Sequence, residues 1–338
     1  MRADRNWTTA TVVAIRDVAE GIREITLRPE QGAGSYPAGS HLGVRVLIEE
    51  RTELRYYSLI GMGPVDGTWK IAVKREEPGR GGSRYMWSHS VGARLEVAEP
   101  DTHFPLSLDA PDYLLIAGGI GITPLIGMAE ILMRRGASLR LVYAGRSRRQ
   151  MAYLDDLEKL LGPRLQVFAG DEGSRLDLAR EIAALHPSAE AYLCGPISLL
   201  ETARAVWQAS GRRRDGLAYE TFGSSGRHAS EAFKVHVPSH DLEVTVDAGT
   251  SMLDALEAAG VPLLADCRRG ECGLCAIDVV ACDGQIDHRD VFFSEHQHAQ
   301  GNKTCACVSR VTGGSISVEP PFRPDRPLRS GKELASAK

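Results

Sequence analysis

The sequence predicts a multidomain chain in which an antiparallel β-barrel is followed by an α/β domain with a parallel sheet and then by a small α+β domain. Its 338 residues are enough for two or three domains. The first third alternates apolar and polar residues in short runs, and the middle third alternates strand-like with helical stretches. Closely spaced cysteines mark the last third.

The first region predicts the antiparallel barrel or sandwich. Its β-branched runs, such as TATVVAI, HLGVRVLI and WKIAVKR, are separated by turns that contain Gly or Pro, and they show little helical periodicity. We therefore expect a first domain at residues 1–108.

The middle region, at residues 109–225, predicts a parallel sheet covered by helices, because YLLIA, LRLVYA, LQVFAG and AYLCG alternate with helical stretches. Glycines interrupt the apolar run Tyr113–Met133, which therefore predicts a buried strand, a tight loop and a helix rather than a membrane span. Thr123 is expected to cap this helix, and Pro124 to occupy its first position.

The last region begins after a polar linker that we place at residues 226–232. The runs FKVHVP and LEVTVD predict a hairpin, and SMLDALEAA predicts a helix that Thr250 caps and Gly260 ends. We expect the third domain at residues 233–320 and a flexible tail at residues 321–338, where no core pattern is found.

The composition excludes two classes of partner. Charged residues make up 25% of the chain and the formal net charge is −4, which argues against a nucleic-acid binder or a polybasic membrane protein. The N-terminus lacks the basic start and apolar core of a secretory signal, so we expect a cytoplasmic protein with reduced thiols.

Three cysteines carry the strongest motif. Cys267, Cys272 and Cys275 have the C-x4-C-x2-C spacing of plant-type ferredoxins, in which a fourth thiolate completes the ligands of a [2Fe-2S] cluster. Gly270 and Gly273 would let the loop curl so that backbone N–H groups point at the sulfurs. A zinc site usually pairs two C-x2-C units, and a disulfide framework does not suit a cytoplasmic enzyme, so both alternatives fit poorly.

The first region also contains an Arg-x-Tyr-Ser sequence at Arg55, Tyr57 and Ser58, which resembles the flavin-domain motif of the ferredoxin reductase superfamily. An arginine can bind the flavin phosphate, a tyrosine ring can flank the isoalloxazine, and a serine hydroxyl can hydrogen-bond to its N5 atom. The alternative is a strand whose tyrosines are core residues.

A second segment, Val73–Arg84, would cradle a phosphate with the backbone of Gly79, Gly81 and Gly82 at an expected helix start. Phe222 ends a Glu-x-Phe segment similar to one whose ring lies near the flavin in that superfamily, although it could equally be a core residue. The expected flavin-binding residues are Arg55, Tyr57, Ser58, Val73, Lys74, Gly81, Gly82, Ser83 and Phe222.

The middle region carries a glycine loop between a strand and a helix, where backbone amides and the helix dipole can receive a dinucleotide pyrophosphate. The loop departs from G-x-G-x-x-G and resembles the Gly-Gly-x-Gly-(Ile/Thr)-(Thr/Ala)-Pro loop of the same superfamily, whose threonine lies near the flavin and nicotinamide contact. Cys194-Gly195-Pro196 resembles its Cys-Gly-Pro, whose cysteine faces the nicotinamide, although a lone buried cysteine is more often a filler. The expected NAD-binding residues are Gly118, Gly119, Gly121, Thr123, Pro124, Arg146, Cys194, Gly195 and Pro196.

All three modules, in this order, resemble the phthalate dioxygenase reductase and vanillate O-demethylase reductase group over residues 7–320. These are single-chain reductases of Rieske oxygenases, and the resemblance implies a β-barrel flavin domain, a nucleotide domain and a β-grasp ferredoxin domain. It also implies FMN rather than FAD, NADH as the usual donor, a separate oxygenase as acceptor, and a monomer. The turn Asp287–Asp290 is common in this group; its alternative interpretation is a solvated charged loop.

The fourth cluster ligand is chosen between two cysteines. The usual ferredoxin interval of 29 residues after Cys275 ends at Cys305. The segment that begins at Cys307, CVSRVTGGSISVE, instead resembles the last strand of the phthalate dioxygenase reductase group. Gly284 lies two residues further from the third cysteine than in relatives, so about two residues look inserted near Cys282. We therefore assign Cys307 as the ligand and expect Cys305 and Cys282 to be ordinary small side chains.

The cofactors together predict a reductase component of an aromatic-ring oxygenase or O-demethylase. A nicotinamide gives two electrons as hydride, a [2Fe-2S] cluster accepts one, and a flavin is stable in the states between them. Ser58, Thr123 and Cys194 would position the reactants without acting as acid or base. Arg268 and Arg269 would steer an acidic oxygenase surface. The alternatives are a stand-alone flavoreductase that uses oxygen, ferric iron or a small carrier, and a redox-sensing module with vestigial nucleotide loops.

The nucleotide preference is left open by the residues alone. Arg146-Ser147-Arg148-Arg149 follows the second strand of the nucleotide domain, where the 2′-phosphate of NADPH could bind. The alternative is a solvated basic turn. The family resemblance favours NADH.

Overall fold

The computed structural model describes residues 6–48, 51–77, 81–222, 228 and 230–321, which form three β-sheets in chain order. The first sheet is antiparallel, the second parallel and the third mixed, which confirms the predicted fold class. Two compact units divide between Glu220 and Thr221. The domain limits at 108 and 225 remain predictions, and most of the predicted linker and tail lies outside the described residues.

The first sheet has six strands in the order β4-β3-β6-β1-β2-β5. An isolated bridge between Leu59, just after β4, and Ile71 on β5 joins the two edge strands, which closes the sheet into a barrel. Alternating apolar residues point inward and form one buried core. The elements are β1 (Trp7–Ala19), β2 (Ile22–Pro29), β3 (His41–Ile48), β4 (Arg51–Ser58), β5 (Trp69–Lys74), α1 (Gly82–Trp87) and β6 (Arg94–Ala98).

The second sheet has five parallel strands in the order β11-β10-β7-β8-β9. Its central strand β7 is buried along its whole length, as expected when helices cover both faces. The strands are β7 (Tyr113–Gly118), β8 (Leu139–Gly145), β9 (Leu165–Ala169), β10 (Glu190–Cys194) and β11 (Leu217–Glu220). The α-helices are α2 (Ile122–Arg134), α3 (Leu154–Leu161), α4 (Leu178–Ala183) and α5 (Ile197–Ala209).

The order of these strands reverses between β7 and β10, and ligands of open parallel sheets bind at such a switch point. Among the described residues, no helix is long and apolar enough to cross a membrane.

The predicted cap of α2 is wrong. The helix begins at Ile122 after Gly121, so Thr123 and Pro124 are its second and third residues. The Thr123 hydroxyl donates to the Ile120 carbonyl over 3.0 Å instead of accepting a helix N–H. Pro124 is tolerated because amides in the first turn have no partner within the helix.

The third sheet has the order β13-β12-β16-β14-β15, with β12 and β16 parallel and the other pairs antiparallel. One apolar core lies between the sheet and helix α6. The elements are β12 (Phe233–Val237), β13 (Leu242–Val246), α6 (Met252–Ala258), β14 (Ala276–Asp287), α7 (Glu295–Gln300), β15 (Lys303–Cys305) and β16 (Arg310–Glu319).

The predicted N-terminal cap of α6 is displaced by one residue. Ser251, not Thr250, accepts the backbone N–H of Asp254. The predicted stop is confirmed, because Gly260 follows the helix with a φ of +88°, a conformation that glycine adopts readily.

Candidate cofactor sites

The cysteine loop lies between α6 and β14 and curls around its own sulfur atoms. Cys267 and Cys275 are buried, whereas Cys272 is exposed. The Cys267 sulfur accepts the backbone N–H groups of Arg269 and Cys272, each over 3.4 Å. Donors placed in this way stabilise a thiolate, which is the form that binds iron.

Glycine is required at two positions of this loop. Gly270 has a φ of +77°, and a Cβ atom there would lie 2.8 Å from the Cα atom of Asp290. Gly273 has a φ of +70°, and its Cβ atom would lie 2.3 Å from the Phe292 ring. The loop therefore takes its curved path against the turn that follows β14.

Two downstream cysteines lie beside Cys275. The Sγ atoms of Cys275 and Cys307 are 3.1 Å apart. Hydrogen bonds with Cys305 and Cys307 lower the pKa of the Cys275 thiol to about 4. The hydrogen bond with Cys275 and burial raise the pKa of the Cys307 thiol, and a hydrogen bond from the Gly270 backbone N–H opposes this rise in part, so this sulfur faces the cysteine loop. Cys305 ends β15 inside the core and has no exposed surface.

The strand between the third cysteine and these two contains two irregularities. The pairing of β14 with β16 shifts between Val279 and Ala281 and again between Asp283 and Gln285. The first shift leaves one extra residue on β14, and the second leaves one extra residue on β16. They flank Cys282, near which the sequence predicts about two extra residues.

Arg268 and Arg269, which the sequence predicts to steer an acidic oxygenase surface, are both paired within the third domain. Arg268 contacts Asp254 over 2.5 Å and Glu257 over 2.9 Å. Arg269 is buried and pairs with Glu271 over 3.2 Å. Their role in steering stays a prediction.

The alternative of a solvated loop at Asp287–Asp290 is also wrong. The side chains of Asp287, Arg289 and Asp290 are all at least 95% buried. Arg289 pairs with Asp287 over 2.7 Å and donates to the backbone carbonyl of His228 over 2.9 Å. This turn is an internal polar layer of the third domain.

In the first sheet, Arg55 lies along the predicted phosphate loop. A Cβ atom on Gly82 would be 2.7 Å from the Arg55 Nε atom, and Gly81 has a φ of +78°. Arg55 is held by Glu53 over 2.6 Å. Gly79, the first glycine of this predicted loop, lies outside the described residues.

The remaining predicted flavin residues differ in their surroundings. Ser83 is the second residue of α1, and its hydroxyl accepts the backbone N–H of Glu76 over 3.2 Å. Val73 packs in the barrel core, so only its backbone is available to a ligand. Lys74 is exposed, and Tyr57 and Phe222 are partly buried.

The glycine loop and the Cys-Gly-Pro segment meet at the ends of β7 and β10. A Cβ atom on Gly121 would lie 2.1 Å from the Cys194 carbonyl oxygen, and one on Gly118 would lie 2.6 Å from Pro196. A Cβ atom on Gly195 would lie 3.0 Å from the Cα atom of Gly118. Glycine is therefore needed here for the close approach of two loops, in addition to any contact with a nucleotide. Gly119, with a φ of +56°, has open space where a side chain would be.

Ser58, the last residue of β4 in the barrel, contacts the end of β11, the strand next to β10. Its hydroxyl donates to the Glu220 carboxylate over 3.4 Å, and both residues are buried. Glu220 pairs in register with Cys194 across β10 and β11. The structure thus brings Ser58 and Cys194 to one buried carboxylate, with Thr123 buried at the start of the adjacent α2. The sequence contained Glu220 in its Glu-x-Phe segment but did not identify it as a site residue.

In the basic turn after β8, Arg148 is paired with two carboxylates. Arg148 contacts Glu172 over 2.8 Å and Glu158 over 3.5 Å. The backbone N–H of Asp171 donates to the Arg146 carbonyl over 3.0 Å, which joins the loops that follow β8 and β9. The Arg146 side chain is exposed.

Known protein families match two of the three domains. The 2Fe-2S iron-sulfur cluster binding domain matches residues 235–312, and the oxidoreductase NAD-binding domain matches residues 115–205. The solved structure of phthalate dioxygenase reductase, a modular structure for electron transfer from pyridine nucleotides to [2Fe-2S], aligns with a TM-score of 0.74. That alignment has 29% identity and covers 93% of this chain and 98% of the other.

Two curated relatives match over nearly their whole length. The phenoxybenzoate dioxygenase subunit beta of Ectopseudomonas oleovorans is 38% identical over 291 residues, which are 85% of this chain and 89% of that protein. The heme-dependent oxidative N-demethylase beta subunit of Ectopseudomonas mendocina (strain ymp) is 35% identical over 312 residues, 91% and 97% of the two chains.

The chain therefore belongs to the phthalate dioxygenase reductase family, as its sequence motifs predicted. It is a reductase component of an oxygenase system and an NAD-dependent oxidoreductase that transfers electrons. The cofactors of this family are FMN, NAD and a [2Fe-2S] cluster, which confirms the cofactor prediction. The four thiols around the cysteine loop, with backbone donors aimed at two of them, are a donor set that fits this cluster.

Proposed function

We propose that this chain takes hydride from NADH and delivers single electrons to a Rieske-type oxygenase that acts on an aromatic substrate. One observation carries the proposal: Ser58 and Cys194 meet at the buried Glu220, beside a glycine loop at the switch point of a parallel sheet. A four-thiol site lies in the same chain. When bound, the flavin supplies the conversion between two-electron hydride chemistry and one-electron transfer to iron.

Residues of the barrel would hold the flavin. Arg55 lies along Gly81 and Gly82, where a guanidinium and backbone amides can bind a phosphate together. Tyr57 would flank the ring system, and the Ser58 hydroxyl would orient its reactive edge. Because Ser58 donates to Glu220, the hydroxyl direction is set by a buried carboxylate.

Residues of the parallel sheet would hold the nicotinamide dinucleotide. Gly119 is the open position of the glycine loop, so its backbone is accessible to a pyrophosphate. Cys194 would face the nicotinamide, and the crowded contact of its carbonyl with Gly121 fixes its position. A fixed position of Cys194 favours hydride transfer, because the reacting atoms must be in close, aligned contact.

For the cluster we propose Cys267, Cys272, Cys275 and Cys307 as ligands. The sulfur of Cys307 receives the Gly270 backbone N–H and lies 3.1 Å from that of Cys275. Exposure of Cys272 gives one edge of the site access to the surface, where an electron can leave over a short distance.

We propose NADH as the donor. Arg148, the basic residue best placed for a 2′-phosphate, is engaged by Glu172 and Glu158. Two carboxylates there would repel the extra phosphate of NADPH. A monomer in the cytoplasm, with its thiols reduced, is the expected state of the chain.

Coupled turnover tests the proposed acceptor. The purified reductase, NADH and a Rieske oxygenase of the phenoxybenzoate dioxygenase type should give oxygenase reduction and product, and Cys307→Ser should abolish both. Electron flow that reaches only dioxygen or ferric iron would support a stand-alone flavoreductase. Reduction of a heme-dependent demethylase but not of the Rieske oxygenase would contradict the Rieske assignment, an alternative favoured by the 35% identity to the N-demethylase subunit.

A further inference from the structure

Two histidines and one carboxylate form a buried group behind the cysteine loop, and none of the cofactor-binding roles uses them. The side chain of Asp290 has no exposed surface. Its carboxylate lies 3.0 Å from Nε2 of His298 and 3.7 Å from Nδ1 of His288. The Ser309 hydroxyl donates to the same carboxylate over 3.2 Å, and the backbone N–H of Phe293 donates over 3.0 Å.

The two imidazole rings are stacked, with centroids 4.2 Å apart and planes at 20°. One nitrogen of each ring is directed at the same carboxylate. Two imidazolium ions at this distance would repel each other strongly. The arrangement of His288 and His298 at Asp290 therefore favours one added proton shared by the two rings over two charged rings.

This group is close to the proposed cluster site. A Cβ atom on Gly270 would lie 2.8 Å from the Cα atom of Asp290, and the Gly270 carbonyl accepts the backbone N–H of Val291 over 3.0 Å. The N–H of the same glycine donates to the Cys307 sulfur. A single loop residue thus contacts both a proposed ligand and the chain that carries the carboxylate. A negative charge added to the cluster would be felt by the histidines through a low-dielectric interior.

Most of the other charged groups described on the surrounding elements form ion pairs. Burial raises the pKa of Asp290, but hydrogen bonds from His288 and His298 lower it more, so this carboxylate stays ionised. The hydrogen bond with Cys275 raises the pKa of the Cys305 thiol, which stays neutral. The neighbouring ion pairs are Arg289–Asp287, Arg269–Glu271, Arg268–Asp254, Arg268–Glu257 and Lys303–Asp278, and α7 adds the exposed Glu295 and His296.

We propose that the stacked His288–His298 pair takes up one proton from solvent when the [2Fe-2S] cluster accepts one electron. This inference rests on the proposed function, in which the nucleotide supplies the electron by way of the flavin. The proton forms a new N–H bond on the imidazole pair, and the O–H bond of the hydronium ion that supplies it breaks. Because reduction consumes a proton, the midpoint potential of the cluster falls as pH rises.

A redox titration of the intact holoprotein tests this coupling. Dithionite supplies the electron, and the electron paramagnetic resonance signal of the cluster reports its reduction from about pH 6 to about pH 8, where imidazoles titrate. We expect a potential that falls with pH in the wild type and a flatter dependence in both His298→Gln and His288→Gln. His296→Gln, on the exposed face of the same helix, is the matched control and should keep the wild-type slope.

The visible absorption of each sample separates the possible failures. A wild-type potential that does not change with pH, in protein with full cluster absorption, would overturn the coupling and leave the proposed function intact. A slope that persists in the His288→Gln/His298→Gln double variant would overturn it as well. Protein that binds no cluster under any condition would contradict the proposed function and this inference together.

Discussion

At the cysteine site, the spacing of the cysteines predicts three cluster ligands but does not determine the fourth. The C-x4-C-x2-C string predicts three ligands directly, because a loop of this length can curl around one cluster. Spacing leaves the fourth ligand undecided, because Cys305 and Cys307 both lie in the core beside Cys275. The Gly270 backbone N–H is directed at the Cys307 sulfur, which supports the proposal of Cys307 as the ligand.

Cys307→Ser should therefore remove the visible cluster absorption, because one of the four thiolates is lost. Cys305→Ser should retain most of that absorption, at a cost in stability of about 1–3 kcal/mol for a hydroxyl buried in the core. The two purified variants can be compared by absorption and iron content. Loss of the cluster from Cys305→Ser with retention in Cys307→Ser would reverse the ligand assignment.

Charged residues were the least predictable from the sequence. Arg268 and Arg269 stand in a motif and look free, yet their partners include Asp254 and Glu257, which α6 brings to the loop. Glu220 becomes a site residue only because Ser58, 162 positions away in the chain, reaches it. Such pairings depend on tertiary structure, and no local pattern encodes them.

Secondary-structure elements were predicted well wherever periodicity was strong. Four of the five strands of the parallel sheet and its four α-helices follow the predicted alternation, whereas the edge strand β11 was not predicted. The helix starts were predicted less accurately. Thr123 lies inside α2 and does not cap it, and Ser251 rather than the neighbouring Thr250 caps α6. Helix α7 was not predicted, although Ser294 and Gln297 form a capping box that could have revealed it.

The loops after β8 and β9 make the nucleotide preference testable. In Glu172→Gln, Arg148 loses its closest carboxylate and becomes available to a 2′-phosphate. We expect the ratio of kcat/KM for NADPH to that for NADH to rise roughly tenfold, equivalent to about 1.4 kcal/mol. Steady-state kinetics with both nucleotides measure it.

The matched control for Glu172→Gln is Asp215→Asn, which breaks the exposed Arg213–Asp215 pair elsewhere in the same domain. It should leave the nucleotide ratio unchanged. An equal change in both variants, or no change in Glu172→Gln, would mean that Arg148 does not decide the preference.

At the scale of the whole molecule, the domains expected to bind the flavin and the nicotinamide precede the cluster domain in the chain. The barrel and the parallel sheet lie in one compact unit, so the predicted flavin and nicotinamide residues share a single framework. The cysteine site belongs to the other unit. Hydride transfer needs close, aligned contact between the reacting atoms, which is favoured when the residues that bind both partners share one framework.

Anaerobic titration of the holoprotein with NADH tests the central claim most directly. Absorption follows the flavin, and electron paramagnetic resonance follows the reduced [2Fe-2S] cluster in the same samples. The account predicts that NADH bleaches the flavin and that the cluster signal appears in wild-type protein but not in Cys307→Ser. A flavin that NADH does not bleach, or a cluster that dithionite reduces but NADH does not, would contradict it.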